Sequence, residues 1–321
     1  MSSSSCCTPD RRPVEPTSNR ASAGTSSGVG PNLEWVSLPG GIFLMGADDA
    51  WAYAADLEGP VRPVTVAAFD ITVTPVTVAQ FADFVGATGF RTDAEVFGDS
   101  LVFVGDLGPT AHRWPTVAAT PWWHVVEGAT WRYPSGPDVD VDATRDRAAH
   151  PVTHVSRRDA EAFCAWSDTA LPTEAQWEYA ARGGLEQQPF PWGPDLEPGG
   201  THRMNVWQGD FPQSNTAADG HAGTAPVRSY APNAFGVHEM TGNVWEWTTG
   251  GFDDARGDTR AVTRGGSYLC HASYCRRYRV SARSGSTSDT SSGHTGFRVV
   301  TTSEACGAPD DPVGRGHFRS R

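Results

Sequence analysis

The sequence predicts an α+β fold, mixed in helix and strand, rich in turns and poor in long helices. Three observations predict it. The chain holds 35 glycines and 24 prolines in 321 residues, about 18 % against roughly 12 % in average usage, so few segments run far before meeting a breaker. Helical periodicity is confined to three short stretches, each opened by a capping pair. The other apolar runs are short and bounded by glycine or proline, as strands are. A chain of this length can bury one large core or two small ones.

Residues 1–30 are low in hydrophobics and rich in Ser, Thr, Pro and Gly, too few apolar groups to offset ordering, so a disordered tail is expected there. Order begins at Leu33-Glu34-Trp35-Val36. The run Ile42-Phe43-Leu44-Met45 between Gly41 and Gly46 reads as a strand, and residues 64–73 as a strand pair between Pro63 and Pro75. Thr77 with Gln80 forms a capping box before Val78, Phe81, Ala82 and Val85 at helical spacing, ending by Gly86 or Gly89. A second helix starts at Ser156, with Asp159 in the capping position and Ala160, Phe163 and Cys164 on one face. Cys164 there reads as a small core hydrophobe. The third opens on Thr173 and Gln176, carries Trp177, Ala180 and Ala181, and stops at Gly183-Gly184. Between the first two helices lies a long irregular span with Phe97-Gly98-Asp99-Ser100 and Pro121-Trp122-Trp123, the kind of segment that carries function. From Gly184 to about residue 260 the pattern is turn-like and without repeats. Residues 296–300 form a closing strand, and residues 302–321 return to the composition of a disordered tail.

The formal charge is −12 and every basic side chain is arginine. An acidic surface argues against nucleic acid and anionic membranes as partners, and the lack of lysine hints at a GC-rich bacterial genome. No run of about 18 apolar residues spans a membrane, and the amino terminus has no apolar signal core, so a cytoplasmic protein is expected. Six cysteines are too few for a disulfide scaffold. Cys6, Cys7, Cys164 and Cys306 have no evident partners. Nothing reads as a coiled coil or other association pattern, so the expected state is a monomer.

The chemistry concentrates in residues 264–283, RGGSYLCHASYCRRYRVSAR. Cys270 and Cys275 lie five apart. On a straight helix that spacing separates the sulfurs by about 140°, and on a strand it sends them to opposite faces, so they converge only across a bend. A converged pair can be a disulfide or a two-thiolate site for a soft metal such as Cu(I). The paired Cys-x-x-Cys spacing of a closed zinc site is absent. Arg276, Arg277, Arg279 and Arg283 favour thiolate at nearby sulfur, or form a solvated face. Ser267, His271 and Tyr274 add hydroxyl and imidazole groups.

This segment resembles the active-site segment of the formylglycine-generating enzymes, the sulfatase-modifying factors. The matching residues are Gly265-Gly266-Ser267, Cys270-His271, Ser273-Tyr274-Cys275 and Arg277-Tyr278-Arg279. The strings LPTEAQWEY from Leu171, FPWG from Phe190, NVWQG from Asn205 and GNVWEW from Gly242 extend the similarity over roughly residues 33 to 301. The resemblance implies a compact single domain over residues 31–301 with little regular secondary structure, related to C-type lectin-like topology. It implies oxidation of a cysteine in a Cys-x-Pro-x-Arg motif of an unfolded sulfatase to Cα-formylglycine, with O₂ and copper. Cys270 and Cys275 would hold Cu(I), and Ser267, Tyr274 and Trp245 would shape the oxygen pocket. Asp99 would meet the client arginine and His271 would lie at the client site. Two structural Ca²⁺ ions are also implied. Asn205 and Asp219 with the carbonyls of Val206 and His221 would hold the first. Glu239 and Glu246 with the carbonyls of Gly242 and Val244 would hold the second, oxygen ligands suiting a hard cation.

Two other classes of function fit the residues. A binding module would use the tryptophans and calcium-supported loops, with the cysteines as a structural disulfide. A metal-free thiol-disulfide oxidoreductase would cycle the same pair. An iron oxygenase would need a His-x₃-His-x-Glu helix, which the sequence lacks.

Overall fold

The computed structural model describes residues 9–11, 30–139 and 141–301. Strands β1 (Trp35–Leu38), β2 (Gly41–Met45), β3 (Arg62–Val66) and β4 (Phe69–Thr72) open the fold. Helices α1 (Val78–Thr88) and α2 (Asp93–Phe97) lead into β5 (Asp99–Phe103), the single turn α3 (Val104–Leu107), and the hairpin of β6 (Thr116–Val117) and β7 (Thr120–Glu127). After the turn α4 (Ala143–Asp146) come α5 (Arg157–Ser167) and α6 (Glu174–Arg182). The short β8 (Gly209–Asp210) and β9 (Ser214–Asn215) precede β10 (Trp245–Asp253), β11 (Asp258–Arg264), β12 (Arg283–Ser286), β13 (Thr295–Gly296) and β14 (Val300–Thr301).

The three expected capping boxes are present at Thr77/Gln80, Ser156/Asp159 and Thr173/Gln176, each a reciprocal pair satisfying two orphan N–H groups. A fourth, Thr92/Glu95, starts α2 inside the span expected to be irregular. The first helix runs on to Gly89, whose φ of 64° ends it. Its apolar face buries Phe81 and Phe84 against Phe163 of α5 and, through Phe81 and Phe163, Phe297, with Trp247 in the same core. A second core sets Trp177 and Ala180 of α6 against Phe69, Ile71 and Val300.

The sheet β1-β4-β14 joins the start and end of the domain, and β12-β11-β10-β13 runs through its centre. The stretch expected to be turn-like up to residue 260 instead ends in two strands, β10 and the start of β11. β10 is nine residues long and buried on both faces at its start, so it shows no period-2 alternation, and two register shifts break its pairing with β11. The third sheet, β5-β7-β6, occupies the long irregular span, pairing Phe103 with Trp123. Among the described residues no helix is long and apolar enough to cross a membrane. Pro9, Asp10 and Arg11 lie on the domain, within the stretch expected to be a disordered tail, and the Arg11 side chain is only 7 % exposed. The rest of both tails, with Cys6, Cys7 and Cys306, lies outside the described residues.

Candidate active site

The site begins where β11 ends. Gly265 and Gly266 follow with φ of 93° and 74°, a conformation that side chains resist. A Cβ on Gly266 would lie 2.8 Å from the Arg277 carbonyl oxygen and 2.9 Å from Tyr278 Cα. Only glycine lets the two limbs of the cysteine loop approach this closely. Two tight turns then supply the bend. Cys270 N donates to the Ser267 carbonyl at 2.9 Å, while Tyr274 N and Cys275 N both donate to the His271 carbonyl, at 3.0 and 2.7 Å. The sulfurs of Cys270 and Cys275 thereby converge to 3.2 Å. Among the described residues neither cysteine is in a disulfide, and both are buried.

Each sulfur has a donor beside it. Ser267 N–H points to Cys270 Sγ at 3.4 Å, and Arg277 Nη1 lies 3.8 Å from Cys275 Sγ. These contacts favour sulfur as thiolate. The pair opens on a small cavity lined by Ser267, Tyr274, Trp122, Trp123, Phe211, Leu269 and His294. Tyr274 stacks on Phe211 with centroids 4.5 Å apart and meets Trp122 edge-on at 4.9 Å. Trp245 is fully buried in the apolar cluster that contains both cysteines, and its indole N–H has no partner among the described residues. His294 meets Ser267 Oγ at 2.9 Å, and burial lowers its pKa to about 3, so the imidazole is neutral.

Four arginines of the segment are ion-paired and do not form a solvated face, while Arg276 is half-buried over the Trp51 ring. Arg264 pairs with Glu174 and Glu178 of α6, Arg283 with Glu174, Arg279 with the fully buried Glu58, and Arg277 with Asp56. They anchor both ends of the loop. His271 lies on the turn between the two cysteines. It does not line the cavity, and its Nδ1 meets Ser273 Oγ at 2.8 Å, so it holds the turn. Asp99 stands at the start of β5, four residues along the strand from Phe103, which faces Trp123 of the thiol cavity. Cys164 is the expected small core hydrophobe, its thiol pushed up to about 12 by burial.

Among the described residues no three His, Cys, Asp or Glu side chains cluster to hold a metal. The implied copper rests on two sulfurs, and their convergence, burial and donors fit a soft cation. The implied calcium ions rest largely on amide and carbonyl oxygens. Asn205 donates through Nδ2 to the Gly223 carbonyl and to Asn243 Oδ1, leaving its buried Oδ1 without a partner. Asp219 accepts one N–H on each oxygen, from Val206 and His221, and keeps lone pairs free. That set fits the first site. At the second, neither buried oxygen of Glu239 makes a full hydrogen bond among the described residues, and burial pushes its pKa up to about 7 despite the nearby backbone N–H groups of Arg228 and Tyr230. Glu246 is more heavily engaged, accepting from Trp177 Nε1 at 2.7 Å and from Arg298 at 2.6 and 2.8 Å. Its charge is spent chiefly on Arg298, so Glu239 is the freer acid of the second set.

Sequence reasoning missed His294 and Phe211. Neither carries a local signal, because each reaches the cavity from far along the chain.

Comparison with known proteins bears on this geometry. Residues 22–303 match the sulfatase-modifying factor enzyme 1-like domain. The formylglycine-generating enzyme of Thermomonospora curvata is 48 % identical, covering 83 % of this chain and 92 % of the relative. A Bos taurus relative named inactive Cα-formylglycine-generating enzyme 2 is 44 % identical over 85 % of this chain and 90 % of its own. PvdO from Pseudomonas aeruginosa matches with a TM-score of 0.59 at 23 % identity, over 90 % of this chain and 100 % of that one, which shows the fold alone. A family model that spans most of the chain places it in the sulfatase-modifying factor family, which includes the formylglycine-generating enzymes.

Proposed function

We propose that this enzyme, which converts a cysteine of its sulfatase client to formylglycine and so activates it, does so with O₂ and a copper ion held by Cys270 and Cys275. Family membership alone does not carry activity, since a relative of similar identity is named inactive. The observation that carries the reading is the pair of sulfurs 3.2 Å apart, buried beside a small aromatic cavity.

Bound copper would supply the one-electron chemistry that O₂ needs before it can take a hydrogen from carbon. The protein residues do the rest. Arg277 and the Ser267 N–H keep the sulfurs in the form that binds a soft ion. Trp122, Phe211 and Tyr274 wall the cavity and exclude water from the client sulfur. Neutral His294 fixes the Ser267 hydroxyl, which faces the same cavity. Asp99 takes the arginine of a Cys-x-Pro-x-Arg client in a charge-assisted pair. Calcium at Asn205, Val206, Asp219 and His221, and at Glu239, Gly242, Val244 and Glu246, is structural, satisfying buried oxygens.

The test is mass spectrometry of a Cys-x-Pro-x-Arg peptide with protein, Cu(I), thiol reductant and O₂. Conversion removes about 18 Da, whereas ordinary thiol oxidation adds oxygen. The loss should vanish in Cys270→Ser and Cys275→Ser and on copper chelation. No mass change with copper demonstrably bound would refute the oxidase, and turnover surviving complete copper removal would refute the metal's role.

A further inference from the structure

The amino-terminal stretch contains Cys7-Thr8-Pro9-Asp10-Arg11. That is Cys-x-Pro-x-Arg, the pattern of a client, within the enzyme's own chain. Cys6 does not fit, since Thr8 and Asp10 stand where proline and arginine are needed.

The arginine of this pattern occupies a built seat. Arg11 Nη1 donates to Asp99 Oδ1 at 2.6 Å, Nη2 to the Asp99 carbonyl at 2.7 Å and to Ser291 Oγ at 3.3 Å, and Nε to the Asp289 carbonyl at 3.3 Å. Its backbone N donates to Thr290 Oγ1 at 3.0 Å, and its guanidinium lies 4.5 Å over the Phe97 ring. A side chain from a polar, low-hydrophobicity stretch has thus been taken out of water onto one carboxylate and an aromatic face. Asp99 is the residue assigned above to the client arginine.

Beside this seat is a cavity of about 200 Å³ lined by Asp10, Leu101, Pro115, Val117 and Val125. Leu101, Val117 and Val125 belong to the same apolar cluster as Trp122, Trp123, Phe211 and Leu269, which wall the thiol cavity. The spans also agree. From Asp99 to Phe103 is four strand residues, about 13 Å, and an extended chain from a cysteine to the fourth residue after it reaches about 13–14 Å.

We infer that Cys7 is a substrate of the enzyme's own site, converted in cis to formylglycine while Arg11 sits on Asp99. The inference rests on the function proposed above. The step balances as that reaction does. The Cβ–S bond and one Cβ–H bond break and a C=O bond forms. O₂ takes two electrons from the thiol and two from the thiol reductant, with two protons. The sulfur leaves as hydrogen sulfide and the second oxygen as water. Tethering replaces a bimolecular encounter with an intramolecular one at millimolar effective concentration, so the reaction needs no second enzyme molecule.

The test uses the full-length chain with Cu(I), thiol reductant and O₂, and a synthetic Cys-x-Pro-x-Arg peptide in the same tube, followed by tandem mass spectrometry. The expected result is a loss of about 18 Da at Cys7 with Cys6 unchanged, where ordinary oxidation would add mass. Its fractional rate should not change with enzyme concentration. The loss should disappear in Arg11→Ala and in Cys275→Ser and persist in Cys6→Ser. Conversion of the peptide while Cys7 stays a thiol would overturn the inference but leave the proposed function standing. If deleting residues 1–11 then lowered the KM for peptide, the segment would be an inhibitory mimic and not a substrate. Failure of both peptide and Cys7 with copper bound would refute the function, and this inference with it.

Discussion

Replacing Asp99 with Asn tests how the client arginine is held, and Arg11 supplies the magnitude. Among the described residues four hydrogen bonds and a cation–π contact hold the Arg11 guanidinium, and one of them uses the Asp99 carboxylate. The others come from backbone carbonyls, a serine and a ring, and survive the change. A hydrogen bond to a charged group contributes about 1.5–3 kcal/mol. Asp99 is 32 % exposed in its side chain, and Asn still accepts one bond, so the loss belongs at the lower end, about 1.5 kcal/mol, or roughly tenfold. The assay is kcat/KM for two peptides, one with the client arginine and one with alanine there, on wild-type and Asp99→Asn enzyme. Removing residues 1–11 in both backgrounds takes Arg11 out of the competition. The Arg peptide should lose roughly tenfold and the Ala peptide almost nothing, a coupling that a double-mutant cycle isolates. An equal loss for both peptides would show that Asp99 only supports the fold and does not read the client.

Three further predictions follow from the same geometry. Gly266→Ala should reduce copper stoichiometry and melting temperature together, because its φ of 74° and the 2.8 Å approach to the Arg277 carbonyl leave a Cβ no room. The left-handed conformation alone costs about 1–2 kcal/mol, and an unchanged copper titration would contradict the role given to this turn. Calcium chelation should lower the melting temperature, and Asn205→Ala should shrink that response by removing the unpartnered Oδ1. Identical chelation shifts in the variant and the wild type would remove Asn205 from the site. The buried His154 has its pKa lowered to about 3 by burial, so the folded protein refuses a proton that the unfolded chain accepts near 6.5. Its contribution is therefore complete above pH 6.5 and is lost as pH falls toward 3, at up to about 1.4 kcal/mol per pH unit. Urea titrations of His154→Gln should show a shallower acid slope, and an unaltered slope would count against this assignment.

What the sequence made legible was local. The capping boxes at Thr77, Ser156 and Thr173 need only residues three apart, and all three form. That Cys270 and Cys275 can converge only across a bend follows from their spacing, and the turns at Ser267 and His271 supply that bend. The rest depends on partners that sequence distance conceals. His294 meets Ser267 across 27 residues, and Phe211 meets Tyr274 from a region without periodicity. The strand β10 is hidden because burial on both faces and two register shifts erase the alternation that marks an exposed strand. Composition conceals the pattern ending at Arg11, since its neighbours read as a polar tail until the guanidinium is found on Asp99.

The arginines explain how a chain so poor in regular structure holds two sulfurs in one place. A loop closed by two turns has little stiffness of its own, and the residues between Gly265 and Tyr278 belong to no helix or strand. Its rigidity comes from its ends. Arg264 before the loop is locked to Glu174 and Glu178 on α6, and Arg283 after it returns to the same Glu174. Arg277 and Arg279 fasten the descending limb to Asp56 and Glu58 in the turn after β2. Such buried pairs add little net stability against an apolar alternative, but removing one partner strands a charge at a cost of about 3–5 kcal/mol. That asymmetry fixes geometry. Any displacement of the loop must first separate largely buried ions, which holds the sulfurs at their spacing against the bending of the local backbone. Arg277, Arg279 and Arg283, which favour thiolate in the sequence, thus act in the fold as the clamp together with Arg264, and Arg277, bound to Asp56 and 3.8 Å from Cys275 Sγ, does both.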